Sequence, residues 1–154
     1  MRLYDGTVQE FKRDVLNNEI ADIIAKNYSE LIKRKVNESE YRSWGTSLRV
    51  LKDSLDVSEL FQNKIVIEYR LPYSERRIDV ILFGRSAEGK DTIIVIELKQ
   101  WSNNSLKEID IEGNFEINYG DHRGQQAHPC AQVQAYIIDM NDYIKIFREK
   151  QKIE

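Results

Sequence analysis

The chain has 154 residues, 41% hydrophobic and 32% charged, the size and balance of one ordinary soluble domain. Its lone Cys130 gives neither a disulfide framework nor a zinc cluster, which points to a reducing, cytoplasmic compartment. A net charge of −3 with both signs scattered excludes a strongly basic polyanion binder; no apolar run reaches the length of a membrane span, and MRLYDGTVQEF lacks a signal peptide's hydrophobic stretch.

Val8, Phe11 and Val15, then Ile20, Ile23 and Ile24, mark one face of a first helix, with Thr7 and Glu10 as a capping box at its start. A second helix is predicted after Asn37, where Tyr41, Trp44, Leu48, Leu51 and Leu55 form a stripe. Both helices are expected before any strand. The pattern then shifts to β-branched runs at 64–69, 77–83 and 92–99, which predict a three-stranded meander. The first half of the third run is apolar on both faces, as expected of a central strand covered by helices on each side.

Between the second and third runs, GRSAEGKD at 84–91 nearly spells a phosphate-binding loop, yet it has aspartate where a hydroxyl belongs and leads into a strand. It is predicted to be a hairpin turn. From Trp101 to about Gly124 the chain is polar, with FEINY at 115–119 a short extra strand. After Pro129, the residues Ala131, Ala135, Ile138, Tyr143 and Ile144 predict a last helix. There are no internal repeats and no linker, so a single domain over 1–154 is expected.

The chemistry lies in the second and third runs, where Asp79 interrupts one apolar stretch and Glu97 and Lys99 end another. Alternation along a strand would project Glu97 and Lys99 from one face, and a hairpin through 84–91 would bring Asp79 near Glu97. Two convergent carboxylates suit Mg²⁺ or Mn²⁺, ions that keep several waters and complete their shell with a phosphate oxygen. Metal-assisted phosphodiester hydrolysis follows, with Lys99 orienting or deprotonating the attacking water or stabilising charge on phosphorus. Glu-x-Lys is a common triplet, and from the residues alone the trio reads equally as a reaction centre or as an Asp79–Lys99 ion pair ending a sheet.

Among the remaining candidates, His128 could contact phosphate or cap the last helix, and Glu40 could supply a carboxylate or a cap. Glu68 could pair with Arg77. Arg70, Arg76, Arg77 and Arg123 could meet phosphates or form a solvated face, and Trp101 and Tyr119 could stack bases or fill core.

The blocks SEYRSWGTSLRVLKDSL, EYRLPYSERRIDVILFG, IVIELKQW and HPCAQVQAY together resemble the PD-(D/E)XK nucleases. They are similar in particular to the N-terminal nuclease region of large bacterial proteins whose remainder is a Schlafen-group-3-like DNA/RNA helicase. The resemblance implies an α/β, restriction-endonuclease-like core, a central mixed β-sheet flanked by helices. It also implies an Mg²⁺- or Mn²⁺-dependent deoxyribonuclease, with Asp79 and Glu97 holding the metal and Lys99 completing the catalytic set. A helicase partner in a longer protein, action on DNA or RNA, and a part in phage defence are implied in the same way. Gln132 and Tyr136 resemble the Q-x-x-x-Y helix motif of RecB-type nucleases, which implies that they contact substrate or brace the metal site. Two departures stand out: RecB-type nucleases often carry a histidine in the early helix, whereas the first here is His122, and the sequence stops soon after the Gln-Tyr helix. It therefore looks like a piece of a longer protein, whose exposed sheet edge would invite a homodimer. The competing expectation is a catalytically silent module of the same fold that docks nucleic acid or a partner.

Overall fold

The computed structural model describes residues 1–72, 74–100, 106–108, 114–118, 123–145 and 147. They fall in two compact units, Met1–Leu98 and Lys99–Glu154.

The first unit runs β1 (Tyr4–Thr7), α1 (Val8–Leu16), α2 (Ile20–Ile32), α3 (Glu38–Asp56), β2 (Lys64–Arg70), β3 (Arg77–Arg85) and β4 (Asp91–Ile96). Its sheet has the order β1-β2-β3-β4 and is antiparallel at every pairing. The mixed sheet expected is therefore corrected: short hairpins join β2 to β3 and β3 to β4, and such connections permit only antiparallel neighbours.

The capping box at the start of α1 forms as predicted. Thr7 Oγ1 accepts the Glu10 amide at 3.2 Å, and Glu10 Oε2 accepts the Thr7 amide at 2.7 Å. The single helix expected from Val8 to Ile24 is instead two. Asn18 takes φ 60°, a left-handed conformation that ends α1, and asparagine is among the few residues that tolerate it. A strand also precedes the helices, contrary to expectation. YDGT has little strand character of its own and becomes β1 through its partner, with Tyr4 opposite Ile67 and Thr7 opposite Lys64.

α3 begins where predicted: Asn37 Oδ1 accepts the Glu40 amide at 2.8 Å. Its stripe of Trp44, Leu48, Leu51 and Leu55 is buried and joins Val8, Phe11 and Ile24 in one core with Ile65, Ile67, Val80 and Leu82 of the sheet. The helices thus cover one face of β2 and β3.

β4 departs from the expected central strand. It pairs with β3 alone among the described residues, and Ile94 is 50% exposed. A short apolar run does not by itself distinguish a doubly covered strand from the last strand of a hairpin. The turn before it is the predicted one: the Gly89 amide donates to Ser86 O at 2.9 Å, the Ser86 amide donates to Lys90 O at 2.9 Å, and Gly89 has φ 77°.

In the second unit, β5 (Leu106–Glu108), β6 (Asn114–Asn118) and β7 (Arg123–Ala127) form an antiparallel sheet in that order, before α4 (Pro129–Tyr143). β6 overlaps the expected FEINY strand. The buried residues of α4 are Tyr136 and Met140, while Ile138 and Tyr143 are more than half exposed. The predicted stripe therefore lies off the buried face, which a weakly amphipathic helix does not reveal. Among the described residues no helix is long and apolar enough to cross a membrane.

Candidate functional site

β3 places Asp79 between Ile78 and Val80, both fully buried, and leaves its carboxylate half-buried. The β3–β4 pairing sets Val80 opposite Ile96, and one step further along the same register Asp79 stands opposite Glu97. The hairpin thus carries the two acids to the same end of the β3–β4 ladder, one position past its last pair. β4, however, ends at Ile96. Glu97 and Lys99 lie beyond the strand, so the alternation expected to set them on one face does not extend to them. Asp79 Oδ2 accepts the Leu98 amide at 2.7 Å, a side-chain bond that receives the chain where the ladder stops. Lys99, two residues past Glu97, is the first residue of the second unit.

β2 contributes a further acid, Glu68, expected only as a partner for Arg77. Glu68 has only 9% of its side chain exposed, and its Oε1 accepts Trp44 Nε1–H from α3 at 2.6 Å. Arg77 Nε stands 3.2 Å from Glu68 Oε2, while Arg77 Nη2 donates to Glu40 Oε1 at 2.5 Å. The Glu68–Arg77 pairing is as expected, but it is a buried one extended to Glu40. Burial pushes the Glu68 pKa up; Arg77 and Trp44 pull it down, and the Glu40 and Glu97 carboxylates push it up again. Burial also works against the Arg77 charge, yet Glu68 and Glu40 outweigh it and raise its pKa.

Glu68, Asp79 and Leu98 line a small cleft with Ser43 and Ser47 of α3. Its volume of about 80 Å³ has room for a few waters or a hydrated ion, whereas a drug-sized ligand needs upward of ~300 Å³. The sequence carries one overlooked signal here. Glu68 interrupts KIVIEY as Asp79 interrupts RIDVILF, while Ser43 and Ser47 have none.

Among the described residues no three His, Cys, Asp or Glu side chains converge to hold a metal ion by themselves. The donors at hand are carboxylate oxygens, the chemistry of Mg²⁺ or Mn²⁺, and two of them with water completing the shell fit such an ion.

Gln132 and Tyr136 belong to the second unit, one turn apart on α4. Tyr136 is buried, and Gln132 Oε1 is a buried oxygen with no hydrogen-bond partner among the described residues. His128 is a cap: its Nδ1 accepts the Cys130 amide at 3.0 Å. Arg70 pairs with Glu75, and Arg123 with Glu116 at 3.2 Å. Trp101, Tyr119 and His122 lie outside the described residues. No protein-family model, curated protein or solved structure matches the chain.

Proposed function

We propose that the chain is a metal-dependent nuclease of the PD-(D/E)XK type, hydrolysing phosphodiester bonds of DNA from a restriction-endonuclease-like fold. The observation that carries this reading is the β3–β4 register, whose last pair, Val80 with Ile96, leaves Asp79 and Glu97 each one residue further on at the end of an apolar sheet, with Lys99 two residues past Glu97. Asp79 and Glu97 would hold Mg²⁺ or Mn²⁺. When bound, the ion offsets charge on the scissile phosphate and acidifies the attacking water. Lys99 orients that water or stabilises the negative charge that grows on the phosphate oxygens. Gln132 and Tyr136 engage the substrate strand or brace the centre. A helicase in a longer protein would supply unwound DNA, RNA being the other polymer this chemistry could cut. A homodimer through the sheet edge and a cytoplasmic role in phage defence belong to the same reading.

One observation favours a second reading, a silent docking module. The bond from Asp79 to the Leu98 amide gives the aspartate a structural task that needs no ion.

Asp79→Asn separates the two, because the amide oxygen can still accept the Leu98 N–H while the charge is lost. Plasmid and single-stranded DNA are incubated with Mn²⁺ and the parent chain, Asp79→Asn or Lys99→Ala. A nuclease loses at least about 100-fold of its cleavage rate in either variant without losing its fold. A parent chain that binds DNA, cuts no DNA or RNA with either ion, and binds equally as Asp79→Asn is a docking module.

A further inference from the structure

Strict alternation along β2 would put Glu68 on the face of Val66, away from the helices. Ile65 and Ile67 are the β2 residues that pack in the helical core. Glu68 nevertheless bonds Trp44 of α3, because its backbone turns left-handed, with φ 54°. It is the only strand residue other than glycine with a positive φ among those described. A left-handed glutamate is strained, and backbone strain of this kind persists only where the surroundings hold it. The Ile67–Val80 and Tyr69–Ile78 pairs flank it, so Glu68 falls in the row of Asp79, and Glu97 is the next position across. Glu68 and Asp79 line one cleft beneath α3 with Trp44 and Leu98, and Glu97, just past the end of β4, is near enough for its charge to act on Glu68.

Of the groups packed around this position, Arg77 alone calls for a charge, and Glu40 already pairs with it. The Trp44 indole needs an acceptor, which a glutamine oxygen would supply equally well. What glutamate adds is negative charge close to the Glu40 and Glu97 carboxylates, an arrangement that like-charge repulsion opposes unless a cation compensates it. Arg77 compensates part of it, and shares itself with Glu40.

We propose that Glu68 is a positioning residue of the Asp79–Glu97 centre: its left-handed backbone turns a further carboxylate toward α3 and into the cleft that Asp79 also lines, where its charge, anchored by Trp44 and moderated by Arg77, strengthens divalent-cation binding. The proposal rests on the nuclease reading, and it deepens it by assigning the tuning of the centre to the Trp44–Glu68–Arg77–Glu40 network. Glu68 acts through the pair and needs no contact with substrate.

The experiment titrates the full chain with Mn²⁺, following the free-ion electron paramagnetic resonance signal, in the parent, Glu68→Gln and Arg77→Gln. Thermal melts of all three accompany the titration. Glu68→Gln keeps the acceptor for Trp44 and is expected to weaken Mn²⁺ binding about tenfold or more. Arg77→Gln, titrated at a pH high enough to keep Glu68 ionised without its partner, unmasks the neighbouring carboxylates and is expected to tighten it. Opposite signs are the mark of charge; a packing defect moves both variants the same way and overturns the proposal. Unchanged affinity in a folded Glu68→Gln overturns it too, leaving the Asp79–Glu97 centre intact. If Glu68→Gln does not melt cooperatively, Arg77→Gln decides: no tightening overturns the proposal. A folded parent chain that takes up no Mn²⁺ overturns both this inference and the nuclease reading.

Discussion

Glu68 keeps its carboxylate where 9% of the side chain meets water, and burial holds its pKa above the ordinary 4.5 against the pull of Arg77 and Trp44. A raised native pKa means that the folded protein favours the protonated form. The stability this group contributes is therefore fully present below pH 4.5 and is lost as pH rises through the native value. Glu68→Gln removes that dependence. The stability of the parent should fall relative to Glu68→Gln as pH climbs from 4 to 7, measured as the difference in urea midpoints. A difference that stays flat over that range would show equal folded and unfolded pKa values, and would remove burial as the dominant influence on this group. The charge that serves the candidate centre is thus one that folding alone would discard.

Elements decide where these side chains can meet. The turn between β3 and β4 fixes the register that sets Val80 opposite Ile96, next to Asp79 and Glu97, and Gly89 supplies its left-handed step, with open space where a Cβ would stand. Gly89→Ala should therefore cost about 1 kcal/mol through the backbone alone, read from denaturant midpoints, while Mn²⁺ uptake stays at the parental level. Loss of uptake would mean that the register had slipped. A second element is closed from outside its own sequence. Lys12 of α1 reaches the end of α3, where its Nζ donates to Leu55 O at 2.6 Å and lies 3.5 Å from Asp56. Lys12→Met keeps the apolar stem and should lower stability by about 1.5–3 kcal/mol, measured by urea unfolding, since a charged donor to a helix carbonyl is lost. The same distinction explains what the sequence could and could not reveal. Thr7 with Glu10, Asn37 with Glu40, and the Gly89 turn are local chemistry and are legible, and with them the β3–β4 hairpin. β1 exists because β2 pairs with it, β4 ends where Asp79 takes the Leu98 amide, and β7, RGQQA, has no β-branched residue to announce a strand. These are settled by tertiary partners, as is the left-handed turn that carries Glu68 to Trp44.

For the whole molecule, the division at Leu98 makes a prediction about which part folds and which part handles substrate. Every residue of the buried core cluster, from Leu3 to Leu82 with Ile96 and Leu98 packed against it, lies in the first unit. The four-stranded sheet and α1–α3 are complete within it, so a chain ending at Gln100 should retain its core without the residues that follow. Such a fragment is about the size at which a single core suffices for independent folding. It should melt in one cooperative transition by circular dichroism; gradual loss of signal would show that the core depends on the remainder. The fragment also keeps Asp79, Glu97 and Lys99 while lacking Gln132 and Tyr136. On the nuclease reading it should take up Mn²⁺ within a few-fold of the full chain and yet cut DNA at least about 100-fold more slowly. Uptake without cleavage would separate the holding of the ion from the handling of the strand, and assign the second to the unit that begins at Lys99. Cleavage at the full rate would remove Gln132 and Tyr136 from the mechanism and leave the centre to the sheet alone.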